Sequence, residues 1–520
     1  MGNTPLGWAV RNGHEEVVKL LLGRDDIDPN KPGEYGQTPL LLAIFNWHEE
    51  VVKMLLRRDD INPNKPDVNG RTPLCEAANW GHEEAVRMLL GRDEVNPNEP
   101  GQDGQIPLSC AAQYGREGVV KILLGQDDLD PDKPDRYGQT ALSLAAGGGH
   151  EGVVKLLLER DDVVIDKPDK YGPTPLSLAA DSGYEGVVKI LLGRPGKLLS
   201  GDTALFRAVL GGHEQVVKML LEREEVNPDK PCRYEPYGRT PLNCAARYGH
   251  EGVVKILLGR EDVDPNKPDR DGQTPLHCAA WNGHENVVKM LLGREDVDPN
   301  KPDRDGQTPL WWAACNGSEA MVKILLGRDD VDPNKPNHHG HTPLWSAAGH
   351  GYEGVVKMLL RRGNVNPDMP DKYGHTPLSL AAEAGHGGVV KMLLGRADVN
   401  PNAPEMNGQT PLHRAALNGH EDVVRILLRR DGINPDKPDD RGQTPLSFAA
   451  ENGHAGVVEL LLERDDVSPD KPDRSGQTAL SYAACDGHTD VIALLQPHVL
   501  SSTAPTKPQE ASPPLFRIPY

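Results

Sequence analysis

Apolar and polar residues follow one pattern that recurs from end to end of the chain. In residues 272–305 the pattern begins with Thr274-Pro275 and continues with small and apolar residues three and four apart, as on one side of a helix. Asn282-Gly283 ends this stretch, and a second one follows with paired valines and leucines on one face. Thr is a favoured N-cap, Pro fits the first helical turn, and Gly allows the left-handed conformation that ends a helix. The pattern predicts two short helices separated by a turn.

A proline-rich connection follows the second helix. Pro299, Pro302 and the closing Asp305-Gly306 exclude a third helix and favour an extended, turned finger. Each predicted helix has about nine or ten residues, fewer than the roughly 12–15 at which an isolated helix becomes marginally stable in water. A single copy of the pattern should therefore not fold alone, and neighbouring copies are expected to bury each other's apolar faces.

An opening glycine marks fifteen copies of the pattern, spaced by 34 residues except for spacings of 29 and 37 on either side of Gly201. A fixed period of this size indicates a solenoid. We predict an array over residues 2–495 that is irregular at 193–237, where one finger loses five residues and the next gains three. Residues 496–520 contain six prolines in 25 residues and are predicted to be a disordered tail.

The string TPLHCAAWNGHENVVKMLL at residues 274–292 resembles the ankyrin repeat, whose T-P-L-H-x-A core it contains. The resemblance covers residues 2–495. It implies an all-α ankyrin-repeat solenoid of about fifteen helix-turn-helix repeats with projecting fingers, and a concave face made of finger tips and first helices. The period is 34 residues, against the usual 33, which is similar to long fungal ankyrin arrays. The fourth letter of TPLH is His only at His277 and His413 and is more often Ser, so the hydrogen bond of that His should be lost or replaced.

Charge and cysteine usage exclude several kinds of partner. The net charge of -20 is spread evenly, without the basic stripe that binding to phosphate backbones needs. No apolar run approaches the ~20 residues that span a bilayer. Cys110, Cys244 and Cys278 share a position where other copies place Leu, which predicts small core side chains and a reducing compartment. We expect no nucleic acid partner, no membrane insertion, a monomer, and a cytoplasmic location with the nucleus as the alternative.

No residues stand out that could supply a nucleophile, a base and an orienting group, so we expect no enzymatic activity and no cofactor. An EF-hand loop starting at Asp262 would need Gly and Glu where Lys267 and Gln273 stand, which argues against calcium. A histidine follows the helix-helix turn in eleven copies, from His14 to His488, and is expected to help close that turn.

The clearest departures from the repeat lie in the copies opened by Gly272, Gly306 and Gly340. The resemblance implies partner contacts at the residues flanking the opening Gly and at the two residues after the Ala-Ala pair, and in these copies such positions carry Trp, Asn and His. The predicted partner-binding residues are Trp281, Asn282, Trp311, Asn316, His338, His339, His341, Trp345 and His350. Because Trp and Tyr dominate interface hot spots, these copies are the best candidates for a binding patch.

Two tryptophans of this patch share one repeat position. We expect Trp311 and Trp345 to stand next to each other on the inner side of the first helices, whereas Trp312 takes the Leu position and should face the core. A second aromatic group is formed by Phe45, Trp47 and Trp80. Trp47 replaces the turn Gly, so the second copy is expected to be distorted.

The histidines allow another interpretation. His339, His341, His350 and His375 could converge on a transition metal or make binding pH-sensitive. Our prediction is nevertheless a protein-protein interaction scaffold or adaptor that binds a partner protein on its concave face, around residues 281–350. The alternative is a sensing or regulatory ankyrin arm of a larger multidomain protein, for example a nucleotide-binding receptor, whose effector domain is absent from this chain.

Overall fold

The computed structural model describes residues 4–194, 200–231 and 236–502. Within these residues the chain forms thirty α-helices in fifteen successive pairs, two short 3-10 turns at Glu34–Gly36 and Gln102–Gly104, and no β-strand. The predicted all-α repeat solenoid is thereby confirmed. The chain divides into two compact units, Met1–Asp269 and Arg270–Tyr520.

The first unit contains eight helix pairs within its described residues. The first helices of these pairs are α1 (Pro5–Arg11), α3 (Pro39–Phe45), α5 (Pro73–Trp80), α7 (Pro107–Gln113), α9 (Ala141–Gly147), α11 (Pro175–Asp181), α13 (Gly201–Gly211) and α15 (Pro241–Tyr248). The second helices are α2 (Glu15–Leu22), α4 (Glu49–Leu56), α6 (Glu83–Leu90), α8 (Glu117–Leu124), α10 (Glu151–Leu158), α12 (Glu185–Leu192), α14 (Glu214–Leu221) and α16 (Glu251–Leu258).

The second unit contains seven pairs within its described residues. The first helices are α17 (Pro275–Asn282), α19 (Pro309–Cys315), α21 (Pro343–His350), α23 (Pro377–Glu383), α25 (Pro411–Leu417), α27 (Pro445–Glu451) and α29 (Ala479–Asp486). The second helices are α18 (Glu285–Leu292), α20 (Glu319–Leu325), α22 (Glu353–Leu360), α24 (Gly387–Leu394), α26 (Glu421–Leu428), α28 (Ala455–Leu462) and α30 (Thr489–Ser502).

Within each unit, every helix contacts its own pair mate and the corresponding helix of the next copy. The Ala-Ala pair of most first helices and the Val-Val pair of most second helices are buried, as Ala279-Ala280 and Val287-Val288 illustrate. Small side chains let the first helices approach closely, and the valines fill the space between neighbouring pairs. The core is therefore a continuous row within each unit, to which the copies contribute equivalent positions.

Most first helices begin with a capping Thr, as the pattern predicts. Where the fourth position of TPLH is Ser or His, it can complete the cap in one of two ways. Where it is Ser, as at Ser379, the Ser side chain and Thr376 form a reciprocal capping box. Where it is His, the ring of His277 contacts Thr274 through Nδ1 and also donates from Nε2 to the carbonyl of Gln307 in the next copy, at 3.0 Å. The serines thus replace the cap contact of the histidine but not its link to the next copy.

Polar side chains in the fingers also join neighbouring copies. Asn334 Nδ2 donates to the carbonyl of Asn364 at 2.6 Å, and the backbone N–H of Asn366 donates to Asn334 Oδ1 at 2.7 Å. The turn histidines make a similar link, since His420 Nε2 donates to the carbonyl of Glu383 at 2.8 Å. These histidines therefore connect successive copies in addition to standing at their own helix-helix turn.

Trp47 takes the left-handed conformation of the glycine it replaces, with φ of 61°. The helices on either side of it, α3 and α4, have the usual seven and eight residues. The expected distortion of the second copy is therefore confined to the turn, where the Trp47 ring lies with its centroid 3.4 Å from that of His82. Helix pairing tolerates the bulky residue because its side chain is exposed.

The irregular segment predicted at 193–237 includes residues 195–199 and 232–235, which lie outside the described residues. In its described part, α13 begins at Gly201, without the Thr-Pro pair that starts most of the other first helices. The shortened finger is still linked to the preceding one, because Ser200 Oγ donates to Asp166 Oδ1 at 2.8 Å.

The last helix passes the predicted end of the array at 495. Helix α30 continues through Pro497 to Ser502, since a proline removes one backbone hydrogen bond without ending every helix. The remainder of the predicted tail, 503–520, lies outside the described residues. Among the described helices, none has the length and apolar character that a bilayer crossing needs.

Candidate partner-binding surface

In each unit the finger tips and the adjacent sides of the first helices form one face, which we name the finger-side face. The tip at residues 337–341 shows how the face is built. Asn337 is buried and its Oδ1 accepts hydrogen bonds from the backbone N–H groups of His339 and His341, at 2.9 and 3.0 Å. This closed turn fixes the tip, and the side chains of His338 and His339 are exposed on it.

Three tryptophans form a cluster on the finger-side face of the second unit. The ring of Trp312 is edge-on to Trp281, with centroids 4.0 Å apart, and edge-on to Trp311, with centroids 5.2 Å apart. Trp312 Nε1 donates to Asp303 Oδ2 in the preceding finger at 3.0 Å. Trp281 is 44% exposed, so the cluster presents one indole to solvent on a fixed support.

The predicted orientations of Trp311 and Trp312 are wrong. Trp311 is 8% exposed and buried beside the N-cap residue Thr308, whereas Trp312 is only partly buried and points toward the finger. One residue rotates the side chain by about 100° around a helix. The Leu position that suggested core is itself only partly buried in several copies, for example at Leu144 and Leu380.

Trp345 is held on both sides rather than freely exposed. Its indole stacks on the imidazole of His341, with centroids 3.6 Å apart and planes 5° apart. Its Nε1 donates to the carbonyl of His375 in the next finger at 3.2 Å. The side chain is partly buried, so it contributes to the rigidity of the finger-side face as well as to its surface.

Two buried carboxylates lie in the fingers that follow the Trp345–His341 stack. Asp371 Oδ2 lies 3.0 Å from His375 Nδ1 and 3.7 Å from His341 Nε2. Glu405 lies 3.5 Å from His375 Nε2 and is paired with Arg414. Burial lowers the pKa of His341, although the negative charge of Asp371 opposes this shift. His341 and His375 therefore lie against neighbouring carboxylates.

The four histidines considered for a metal site do not all meet. His350 is exposed, its Nδ1 lies 2.8 Å from the carbonyl of Ser346, and its ring stacks on Tyr352. His339 and His341 have ring centroids 5.6 Å apart. Across the part of the chain that the structure describes, no group of three or more His, Cys, Asp or Glu side chains is placed to hold a metal ion.

Asn282 and Asn316 are exposed beside the tryptophan cluster. Asn282 Nδ2 donates to the carbonyl of Cys278 at 2.8 Å, and Asn316 Nδ2 donates to the carbonyl of Trp281 at 3.4 Å. Both amides therefore keep acceptor oxygens available at the edge of the cluster. Of the predicted site residues, Trp281, Asn282, Asn316, His338, His339 and His350 are exposed, His341 and Trp345 are partly buried, and Trp311 is buried.

The sequence interpretation missed a tyrosine that recurs at the finger tips of five copies. These side chains are between 43% and 70% exposed, and each stands directly before an opening glycine. They are Tyr35, Tyr137, Tyr171, Tyr237 and Tyr373. The recurrence of Tyr-Gly at the end of the finger was the available signal.

Comparison with known protein families agrees with this architecture. A family model described as ankyrin repeats (3 copies) matches the chain in nine overlapping segments between residues 1 and 502. The segments are 1–67, 59–135, 108–200, 194–269, 256–337, 292–371, 328–404, 363–439 and 432–502. No curated protein sequence is significantly similar to the chain.

Proposed function

The chain belongs to the ankyrin-repeat family, and from this premise we propose that it is a scaffold or adaptor that binds a partner protein through the finger-side face of residues 281–350. Ankyrin repeats generally mediate protein-protein interaction, and proteins built from them are typically non-enzymatic binding scaffolds. Within the array, the contact is made by the exposed side chains around Trp281 and the finger tip at residues 337–341.

The observation that carries the proposal is the supported exposure of Trp281. Its ring leans on Trp312, whose indole N–H is bound to Asp303, so the exposed indole has little freedom to lose on binding. A partner that covers a rigid aromatic side chain gains apolar contact at a small entropic cost. Trp281 is therefore the expected centre of the contact.

The surroundings of Trp281 suit the rim of an interface. Asn282 and Asn316 lie beside it, and the histidines of the 337–341 tip add polar groups farther along the same unit. Protein interfaces commonly combine a buried aromatic centre with a polar rim that is partly accessible to water. The arrangement supports a contact with a folded or extended protein segment that spans several copies.

Site-specific photo-crosslinking in native extract would test the location. A benzoylphenylalanine at position 281 or 338 should crosslink to the same protein. The control position is Lys289, which is exposed on the second helix α18. Crosslinking of that protein with equal efficiency from position 289, or no crosslink from 281 and 338, would refute the proposed surface.

A matched pair of variants would test the contribution of the tryptophans. Trp281→Gln introduces the glutamine that another copy has at this repeat position, Gln113. Trp345→Ser introduces the residue that is commonest at the repeat position of Trp345. Both replacements are native to the repeat, so the helices should be retained. We expect the crosslinked partner to be lost in the double variant, whereas Lys289→Ala should leave the crosslinking from position 338 unchanged.

A further inference from the structure

A polar pocket lies on the finger-side face of the first unit. It has a volume of about 350 Å³ and lies between α5, α7 and the finger tips at 102–104 and 135–139. Its lining includes Arg71, Glu76, Gln105, Tyr114, Asp135 and Tyr137. None of these residues belongs to the partner-binding surface proposed above, so the pocket is a separate feature.

Asp135 is the unusual group in this lining. It is 6% exposed, and its Oδ1 accepts hydrogen bonds from the backbone N–H groups of Tyr137 and Gln139, at 2.9 and 2.8 Å. Its Oδ2 is buried and has no hydrogen-bond partner within the described residues. A buried carboxylate oxygen without a donor is costly, and native proteins seldom leave one in this state.

Other copies show what is missing. At the equivalent finger position, the second carboxylate oxygen is bound by a side chain four or nine residues later. The pairs are Asp67 with Arg71, Asp303 with Trp312, Asp371 with His375, Glu405 with Arg414, and Asp473 with Tyr482. In the copy of Asp135 these positions hold Gln139 and Leu144, and Leu144 has no polar atom in its side chain. The missing donor would have to enter from the pocket.

The remaining charges of the pocket favour a cation. Glu76 is buried, and its carboxylate accepts a hydrogen bond from Trp80 Nε1 at 3.1 Å, with Arg71 Nε 3.8 Å away. Arg71 is itself bound to Asp67, so it is shared between two acids. Asp103 also lines the pocket, but its carboxylate is paired with Arg136. Asp135 therefore retains an uncompensated negative charge in the lining.

We propose that this pocket binds the guanidinium group of an arginine side chain, with Asp135 Oδ2 as the central acceptor. A guanidinium carries five N–H donors in a plane, so it can bind a carboxylate while other donors reach the amide oxygens of the lining. Tyr114 and Tyr137 are exposed at the pocket and offer aromatic faces on which a planar cation stacks. A lysine ammonium matches the charge but neither the planar shape nor the stacking.

The test uses the full chain and acetyl-Gly-Arg-Gly-amide, observed by saturation-transfer difference NMR at millimolar peptide. The arginine side-chain protons should be saturated by the protein. The same peptide with citrulline, which keeps the shape and removes the charge, should bind about tenfold more weakly or not at all, because hydrogen bonds to charged groups are the stronger ones. Equal saturation of the two peptides, or none of the arginine peptide, would overturn the proposal.

Two substitutions locate the binding. Asp135→Asn should keep the turn, since Asn337 makes the same two backbone contacts in its own copy, and should weaken arginine binding about tenfold. Gln139→Arg places an arginine where Arg71 binds Asp67, so it should occupy the pocket from within and block the peptide. Asp303→Asn is the control, because Asp303 is already bound by Trp312. Unchanged peptide binding in both pocket variants would refute the assignment, whatever the outcome for residues 281–350.

Discussion

The imidazole of His341 lies flat against the indole of Trp345, with 3.6 Å between ring centroids and 5° between ring planes. The indole also donates to the carbonyl of His375, so it bridges two finger tips. Burial is the largest cause of the lowered pKa of His341, ahead of the opposing effect of Asp371 and the smaller effects of His339 and His375. The stack thus helps to hold the pKa of His341 below its ordinary value.

Removing the ring should therefore raise the pKa of His341. In Trp345→Ser the imidazole is uncovered and regains water, which favours its charged form. NMR titration of the histidine Cε1–H resonances would show the change, with His341→Gln used to assign the signal. The matched control is Trp311→Ser, because the Trp311 ring contacts Trp312. A titration of His341 that is the same in Trp345→Ser and in the unaltered protein would contradict this account.

Asp368→Asn should stabilise the protein. Asp368 occupies the repeat position of Asn334, whose side-chain amide donates to the next finger. The Oδ1 of Asp368 is buried without a hydrogen-bond partner within the described residues. An amide there should donate to the carbonyl of Asp398, thirty residues later, as Asn334 does to Asn364. We expect a gain of about 1 kcal/mol at neutral pH, measured by thermal unfolding.

The gain from Asp368→Asn should depend on pH. Burial raises the pKa of Asp368 above its ordinary value of 3.8. The folded protein then holds this proton more firmly than the unfolded chain, so stability falls as pH rises from about 4 through the raised pKa. The advantage of Asn should be larger at pH 7 than at pH 4. The reverse change, Asn334→Asp, should cost a similar amount, and a gain from it would contradict the role of this hydrogen bond between fingers.

Ile106→Thr should strengthen the start of α7. Ile106 is the N-cap of this helix but cannot accept a hydrogen bond, and the buried Ser109 Oγ has no partner within the described residues. Threonine would restore the capping box seen at Thr376 and Ser379. The new hydrogen bonds, together with the satisfied Ser109 hydroxyl, should outweigh the buried ethyl group that the Thr hydroxyl replaces, for a net gain below about 1 kcal/mol.

Hydrogen exchange of the α7 amides would measure the effect of Ile106→Thr locally, which suits an array whose unfolding need not be a single step. The opposite substitution, Thr376→Ile, removes an existing cap. Thr376→Ile should speed hydrogen exchange in α23, the opposite of the slower exchange expected in α7 of Ile106→Thr. Faster exchange in α7 of Ile106→Thr would show that the apolar packing of Ile106 matters more than the cap.

His413 should make the second unit less stable in mild acid. The ring is buried, its Nδ1 accepts from the backbone N–H of Thr410, and its Nε2 donates to the carbonyl of Gln443. Burial lowers the pKa of His413 from 6.5 to about 4, although the bond to Gln443 opposes the shift. Between these values the unfolded chain binds a proton that the folded protein refuses, so stability falls as pH falls from about 6.5 to 4.

His413→Ser should remove this part of the acid sensitivity. Serine occupies the same position at Ser379 and Ser447 in the neighbouring copies and closes the cap there. The difference in unfolding free energy between pH 7 and pH 4 should shrink by up to about 3 kcal/mol, as judged from exchange in α25. An unchanged difference would mean that the histidine is not the sensitive group.

The unpaired carboxylate oxygen of Asp135 could not be predicted from the sequence pattern. The carboxylate is shared by most copies and is recognisable from sequence as the residue that closes the finger turn. That its second oxygen lacks a donor follows only when Gln139 and the pocket between two copies are placed in space. The residues that face this acid, four and nine positions later in the chain, are neighbours of it only in the folded structure.

Helix ends, repeat number and family could be predicted from the chain alone, because caps, turn glycines and prolines act within a few residues of themselves and the period repeats them fifteen times. The exchanged roles of Trp311 and Trp312 could not. Adjacent residues on a helix differ by about 100° in direction, and which of them meets the core depends on how closely the next pair of helices packs. The spacing between neighbouring helix pairs is set by contacts between residues some 30 to 37 positions apart in sequence, such as Asn334 and Asn364. Only the tertiary structure shows these contacts.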